Sequence, residues 1–348
     1  MNWAILATGT IAAKFAETVN GMKGEDRLAA CGSRSREKAE AFGKKYGIPR
    51  TYGSYEELLR DEEVDAVYVA TPNNMHYENC MACLEAGKHV LCEKPFTTNV
   101  KEGERLFAAA EERGLFIMEA FWIRHLPALK KMQELINGGV IGQVGFARCD
   151  FGFVAEGARK ARKFDSGLGG GALLDVGIYN LGFLRMVMGD KQPEHVTSEY
   201  HLNEFGTDDY STVLLRYPGG FRAAATASIG MDMPREAAVF GSGGSIYLPD
   251  YQKAERLIIR PMKGEEYVMD FPFEVNGFEY QIREVNRCVR LGMSSSDVLK
   301  KEDTLDILRL MDDIRASCNA EAYLACPKSV KPGTKHKKGP FHRIGAGF

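Results

Sequence analysis

The chain has 348 residues, 45% apolar and 26% charged, an ordinary globular composition that at about 150 residues per domain provides two domains. Lys and Arg number 45 against 47 Asp and Glu, but six of the basic residues and no acid fall in 328–348. The body of the chain therefore carries 39 basic against 47 acidic residues, a net −8, which excludes a nucleic-acid backbone as an expected partner.

No uninterrupted apolar run approaches the roughly 20 residues of a bilayer span, and Met1-Asn2-Trp3 lacks the charged opening of a secretory signal. No membrane is expected. The eight cysteines are scattered, and Cys80 and Cys83 form the only close pair, within a predicted helix. With no second pair and no nearby histidine cluster they read as buried structural thiols, with no metal and a reducing cytoplasm as the expected home.

Residues 3–7 are a short continuous apolar run, as expected of a parallel strand buried on both faces. It opens into Thr8-Gly9-Thr10-Ile11-Ala12 and a predicted helix to Met22. Further strands are predicted at 27–33, 51–52, 66–70, 89–92 and 115–119, alternating with helices at 36–46, from Ser54, at 75–86 and at 100–113. Ser54 with Glu57 three residues on forms a capping-box pattern, and Gly87 and Gly114 stop two of the helices. This rhythm predicts an α/β fold that begins with a doubly wound parallel sheet over 1–122.

The second half changes character. A helix at 126–137 is followed by strands at 143–153, 195–200, 211–217, 221–228, 236–240 and 245–248, with two more at 256–260 and 265–269. Helices are predicted at 173–188, 278–291 and 304–318. Consecutive strands joined by turns such as Pro218-Gly219-Gly220 predict an α+β domain over 123–325 with a large, mainly antiparallel open sheet. The Gly- and Lys-rich composition of 326–348 predicts a disordered basic tail.

Three places carry chemistry. Ala7-Thr8-Gly9-Thr10-Ile11-Ala12 is a variant of the dinucleotide fingerprint with Ala7 in its first glycine position, where a positive φ would be costly. Gly9 permits close approach to a pyrophosphate, and the helix start offers free N–H groups. After the second strand comes Ser33-Arg34-Ser35-Arg36, with no acid before Glu37; a guanidinium there accommodates a 2′-phosphate, favouring NADP with NAD as the alternative. Thr71-Pro72-Asn73-Asn74-Met75-His76 and Glu93-Lys94-Pro95 follow the fourth and fifth strands, where open α/β sheets bind ligands. Farther on, Asp175 and Tyr179 stand four apart, on one helical face. They serve either proton transfer or the duller roles of capping acid and half-buried phenol.

These motifs, in this order over residues 2–325, resemble the Gfo/Idh/MocA oxidoreductase family. Gly-Gly-Gly-Ala-Leu-Leu-Asp before Tyr179, and Met118-Glu119-Ala120-Phe121-Trp122, are most similar to its dimeric dihydrodiol dehydrogenase and NADP-linked xylose dehydrogenase branch. The resemblance implies that Lys94 and Tyr179 face the substrate with Asp175 close by, and that the Lys94–Pro95 bond is cis. It implies cofactor contacts from Thr8, Gly9, Thr10, Ile11, Ser33, Arg34, Thr71, Pro72, Asn74, His76, Glu93 and Lys94, with Trp122 and Arg124 closing over the nicotinamide. A homodimer or homotetramer through the C-terminal sheet is implied as well.

The resulting expectation is an NADP-dependent oxidoreductase acting on a small cyclic polyol, an aldopyranose or a trans-dihydrodiol. Tyr179 is its acid and base, and Lys94 lowers the pKa of the phenol. Trp122, Phe151 and Phe153 are candidates to cover a ring face. The competing readings are a keto-sugar or inosose reductase running in the opposite direction, and a catalytically silent NADP- or sugar-binding regulator. The presence of both Lys94 and Tyr179 argues against the latter.

Overall fold

A computed structural model describes residues 1–24 and 26–325, and the basic segment 326–348 lies outside the described residues. The first half alternates β1 (Asn2–Leu6), α1 (Thr10–Gly21), β2 (Arg27–Gly32), α2 (Arg36–Tyr46), β3 (Arg50–Tyr52), α3 (Tyr55–Leu59), β4 (Ala66–Val69), α4 (His76–Glu85), β5 (His89–Cys92), α5 (Val100–Arg113) and β6 (Ile117–Glu119). Its six strands lie in the order β3-β2-β1-β4-β5-β6, and all pairs are parallel. Trp3 to Leu6 and Ala66 to Val69 are fully buried because helices cover both faces of the sheet. The strand order reverses between β1 and β4, so the crevice opens outside their carboxyl ends.

Local capping follows the sequence. The Ser54 hydroxyl accepts the Glu57 N–H at 3.1 Å, although the Glu57 carboxylate completes no box and instead binds Arg36 at 2.9 Å. Gly87 and Gly114 take the left-handed conformation, with φ of 73° and 63°, that glycine adopts without strain.

The second half comprises α6 (Pro127–Asn137), β7 (Val144–Val154), α7 (Gly157–Lys163), α8 (Ile178–Met188), β8 (His195–Leu202), β9 (Asp208–Arg216), β10 (Arg222–Ser228), β11 (Gly230–Met233), β12 (Ala237–Gly241), β13 (Gly244–Leu248), β14 (Arg256–Pro261), β15 (Tyr267–Asp270), α9 (Glu279–Arg290) and α10 (Lys301–Ala325). The order β15-β14-β13-β12-β7-β10-β9-β8, with β11 also on β7, makes a nine-stranded sheet. It is antiparallel apart from the β7–β10 pair. Along β7, Ala147, Cys149 and Phe151 are buried towards α8 while Phe146 and Arg148 face outward, the two-residue alternation of a sheet covered on one side.

Three elements differ from the sequence reading. Neither α7 nor β11 is predicted, because α7 is mostly charged and β11 has only two register pairs with β7. The helix expected at 173–188 opens with a π turn at Leu173–Gly177, in which the Ile178 N–H bonds back to the Leu173 carbonyl. Ser166–Met188 is long and apolar enough to cross a bilayer by composition, despite Asp175 and Arg185, but 83% of its most apolar window is buried inside this fold. It is the core helix of the second half. The C-terminal helices return to the first half: Ile117 N–H donates to Ser294 O at 3.1 Å, and Val100 N–H to Asp312 at 2.9 Å.

Candidate active site

At the coenzyme end, β1 runs through Ala7 at φ +83°, a left-handed conformation that strains any residue with a Cβ. The Ala7 N–H still bonds Gly32 O at 3.0 Å, which keeps the turn tight. Gly9 then caps α1 with extended backbone, and a Cβ built there meets nothing within 4 Å. The α1 terminus has no side-chain cap and no acid in its first turn. Open space over uncapped N–H groups fits a pyrophosphate. Thr8 and Ile11 are half-buried at this edge, and Thr10 is exposed.

The β2 end fits the far side of the coenzyme. Ser33 is buried, with its hydroxyl accepting the Ser35 N–H at 3.3 Å. Arg36 is engaged by Glu57, and Glu37 by the Ser35 hydroxyl. Arg34 is exposed beside Tyr55, whose phenol its charge pulls down against the larger effect of burial. Among the described residues Arg34 makes no ion pair.

The loops after β4 and β5 are tied together by His76. It is fully buried, with Nδ1 2.8 Å from Pro95 O and Nε2 3.0 Å from Thr71 O. Its two ring nitrogens thus hold together the loops after β4 and β5. Thr71 is buried and accepts from Asn79 at 3.2 Å. Pro72 and Asn73 line a notch of about 20 Å³ with Arg162, Lys163 and Asp175, room for about one water. Asn74 instead borders a separate cavity of about 450 Å³ with Leu173, Asp208 and Arg315. Neither Lys94 nor Tyr179 lines that cavity.

Glu93 is buried and accepts a hydrogen bond from the Tyr68 hydroxyl; burial pushes its carboxyl up, against the pull of Tyr68 and Lys94. The Lys94–Pro95 bond is cis. Lys94 Nζ lies 3.3 Å from Asp175 Oδ1, donates to the Asp175 carbonyl, and sits 4.9 Å above the Tyr179 ring centroid. The π turn widens the helix where this carbonyl meets Lys94. Asp175 is also bound by Lys163, which the sequence reading missed. Burial alone would raise the Asp175 carboxyl, but Lys94 and Lys163 outweigh it and hold it well below the usual carboxylate range. Burial would likewise lower Lys94, yet Asp175, Tyr179 and Glu93 hold it above its ordinary value. Lys94 therefore stays an ammonium.

Tyr179 is 6% exposed, stacked on Phe121 at 5.6 Å and tilted against Phe151 at 5.7 Å, centroid to centroid. Its hydroxyl accepts from Trp122 Nε1 at 3.2 Å. Burial pushes the phenol above its ordinary 10; Lys94 and the Trp122 hydrogen bond oppose this and Glu93 adds to it. The expectation that Lys94 brings Tyr179 towards neutrality is corrected here, because desolvation of the phenolate is the larger effect. Lys14 Nζ lies 4.1 Å from the Trp122 ring centroid, and burial, then Lys253, lower Lys14 to about 8. Arg124 donates to Val298 O at 2.8 Å and faces Asp303 at 3.7 Å. Glu119, pushed by burial to about 7, accepts from Phe96 N–H and Thr304, so it supports the Lys94 loop from behind. Cys31, Cys80, Cys83, Cys92, Cys149 and Cys288 are buried free thiols, and no cluster of metal ligands exists among the described residues.

A dinucleotide-type turn, an ammonium and a phenol around one crevice define an NAD(P)-dependent oxidoreductase acting on CH–OH groups. Residues 1–121 match the family model of an oxidoreductase family with an NAD-binding Rossmann fold, and 129–247 match the GFO/IDH/MocA C-terminal domain. The chain is 34% identical over 326 residues to the trans-1,2-dihydrobenzene-1,2-diol dehydrogenase of Mus musculus, covering 90% of this chain and 96% of that one. The Homo sapiens enzyme of the same name is 34% identical over 323 residues, with the same coverage. Among solved structures, the aldose-aldose oxidoreductase of Caulobacter crescentus, complexed with glycerol, superposes with a TM-score of 0.83 at 26% identity, over 92% of this chain and 98% of that one. A 3-ketoreductase from Actinomadura kijaniata, with NADP and TDP-benzene, gives 0.81 at 27% identity over 91% and 97%. The chain belongs to the Gfo/Idh/MocA family of NAD(P)-dependent oxidoreductases.

Proposed function

We propose that this enzyme uses NADP to interconvert a CH–OH group and a carbonyl on a cyclic polyol, an aldopyranose or a trans-dihydrodiol, with Tyr179 as acid and base. The observation that carries this reading is the convergence of Lys94, Asp175 and Tyr179 at the carboxyl end of β5, with Lys94 Nζ 4.9 Å from the Tyr179 ring. The names of the relatives, a dihydrodiol dehydrogenase and an aldose-aldose oxidoreductase, support the substrate class.

Thr8, Gly9, Thr10 and Ile11 would hold the pyrophosphate, Ser33 and Arg34 the 2′-phosphate, and Thr71 and Pro72 would flank the nicotinamide end. The coenzyme, when bound, supplies or accepts the hydride. In reduction the Tyr179 O–H gives its proton to the carbonyl oxygen; in oxidation the phenolate takes the hydroxyl proton. Trp122 Nε1 holds the Tyr179 oxygen in place, and the Lys94 ammonium stabilises the phenolate. Asp175 positions Lys94, and Lys163 neutralises Asp175. A keto-sugar or inosose reductase working in the opposite direction would use the same groups, with the Tyr179 O–H as the proton donor.

The exposed face of the C-terminal sheet carries Phe146, Leu214, Phe240 and Val268, each 36–52% exposed. Phe146 and Phe240 adjoin at 6.0 Å, and exposed apolar side chains on a sheet face suit pairing with a second copy, so the assembly is a dimer or a multiple of it; sedimentation at the mass of one chain would contradict this. The buried free thiols agree with residence in a reducing cytoplasm.

The test follows NADPH formation across pyranoses and trans-diols, and NADPH consumption with keto-sugars. Tyr179→Phe should retain NADP binding and lose about a hundredfold in turnover, the scale of acid–base catalysis. Near-normal turnover in that variant rejects the role of Tyr179.

A further inference from the structure

The cavity of about 450 Å³ beside Asn74 shares a wall with the catalytic notch: Gly169 and Gly170 line both it and the space that holds Lys163 and Asp175. Its volume lies within the range of small-molecule pockets, roughly 300–1,000 Å³. Both halves of the chain build it. Asn74 and Thr98 come from the loops after β4 and β5, Leu173 from the start of the core helix, Asp208 from β9, and Ile314 and Arg315 from α10.

The shared wall is firmly seated. Asn73 Nδ2 donates to Gly169 O at 2.8 Å, and a Cβ on Gly169 would come within 3.0 Å of the Asn73 Cβ and 3.2 Å of Thr98. On the far side of the cavity, Asp208 Oδ2 accepts the Leu173 N–H at 2.6 Å. A carboxylate that lines the cavity therefore holds the first turn of the helix that carries Asp175 and Tyr179. Burial pushes this carboxyl up to about 6, against the pull of the Leu173 N–H, so a further donor from a bound molecule would stabilise its charged form.

The lining selects the ligand by charge. Among the described residues only Asp208 and Arg315 line it with charge, one of each sign, and Arg315 already donates to Thr98 O and Asp312. Such a wall has no net pull on an ion. A carboxylate only accepts and a guanidinium only donates, whereas a hydroxyl does both. Several hydroxyls on a compact carbon ring would meet Asp208, Asn74 and Thr98, with Leu173, Leu202 and Ile314 against the apolar face.

We infer that this cavity is a second binding site, separate from the crevice, for an uncharged polyhydroxylated molecule of monosaccharide size. Its occupant bridges the two halves of the chain and presses on the wall shared with the notch, so it favours the closed arrangement and tightens coenzyme binding. This goes beyond the reaction proposed above and does not depend on its substrate.

Equilibrium dialysis with radiolabelled D-glucose, D-xylose and myo-inositol, each at millimolar concentrations, tests it on the full chain. Lys94→Met disables the crevice but should still bind at least one of the three. Leu202 stands at the rim, 38% exposed, and Leu202→Trp, which fills the cavity, should weaken that binding at least tenfold. Asp208→Asn keeps an acceptor for the Leu173 N–H and should weaken it about threefold. D-glucosamine and D-glucuronate should bind less tightly than glucose. In the wild type the bound sugar should lower the Kd for NADP at least threefold, with the reciprocal effect on its own affinity, and Leu202→Trp should abolish the gain while still binding NADP. No binding of any of the three to Lys94→Met, or binding that Leu202→Trp and Asp208→Asn both leave unchanged, overturns the site. Equal or tighter binding of a charged sugar overturns the ligand class, and an unchanged Kd for NADP overturns the coupling. None of these measurements uses turnover, so a failure of the reaction proposed above is told apart from a failure of this site.

Discussion

Asp175→Asn removes the one carboxylate shared by two ammonium groups. Asp175, Lys94 and Lys163 keep only 17%, 13% and 13% of their side-chain surfaces exposed, so they behave as a buried network rather than a surface pair. Deleting one partner of such a network costs about 3–5 kcal/mol; their residual contact with water places the expectation near the lower figure, about 3 kcal/mol. The pH dependence follows from the signs. Asp175 is held below its unfolded value, so its contribution is complete above about pH 4 and is lost as pH falls. Lys94 is held above its unfolded value, so its contribution is complete below about pH 10 and is lost as pH rises through the folded pKa. Urea unfolding followed by tryptophan fluorescence should show the loss at pH 7, with a flatter dependence at both extremes. Adding Lys163→Met should recover more than half of it by relieving the repulsion. A change below about 1 kcal/mol in the single variant, the range of exposed ion pairs, would refute the reasoning.

Three further outcomes follow. Ala7→Gly should stabilise the protein by about 0.5–1 kcal/mol, the relief of a left-handed alanine less the entropy glycine adds to the unfolded chain; a lower unfolding midpoint would contradict it. Arg34→Ala should raise the KM for NADP far more than that for NAD, and equal effects would remove Arg34 from the 2′-phosphate. In the coenzyme-free protein, ultraviolet difference titration of wild type against Tyr179→Phe should place the phenol above 10, in the direction burial dictates. Lys94→Met should push it higher still, and a titration near 7 in either protein would be inconsistent with this site.

Much of the first half was legible because a buried parallel strand writes itself as an uninterrupted apolar run, and because Ser54, Gly87 and Gly114 are local signals needing no tertiary context. Lys94 and Tyr179 could be singled out because one ends a strand at the switch-point edge and the other opens the core helix. Ala7 was legible as a site of strain from its place in the glycine pattern alone. The missing pieces depend on distant parts of the chain. The Trp122–Tyr179 hydrogen bond spans 57 positions, and Lys163 reaches Asp175 only because α7 folds back over the crevice. The run Arg159-Lys160-Ala161-Arg162-Lys163 was a visible signal, since four cations without an acid need an explanation. The backbone partners of His76 and Arg124, Pro95, Thr71 and Val298, likewise come from tertiary structure that the sequence does not encode. The direction of the Tyr179 shift depends on its burial, which spacing does not encode.

The proposed reaction requires Lys94 and Tyr179 to flank the reactive end of the coenzyme, which a crystal structure of the NADP complex would display. The nicotinamide ring should lie in the crevice bounded by Lys94, Tyr179 and Trp122, with the pyrophosphate over Gly9. A nicotinamide bound elsewhere, with the Lys94 ammonium and the Tyr179 hydroxyl both out of reach of its reactive face, would contradict it.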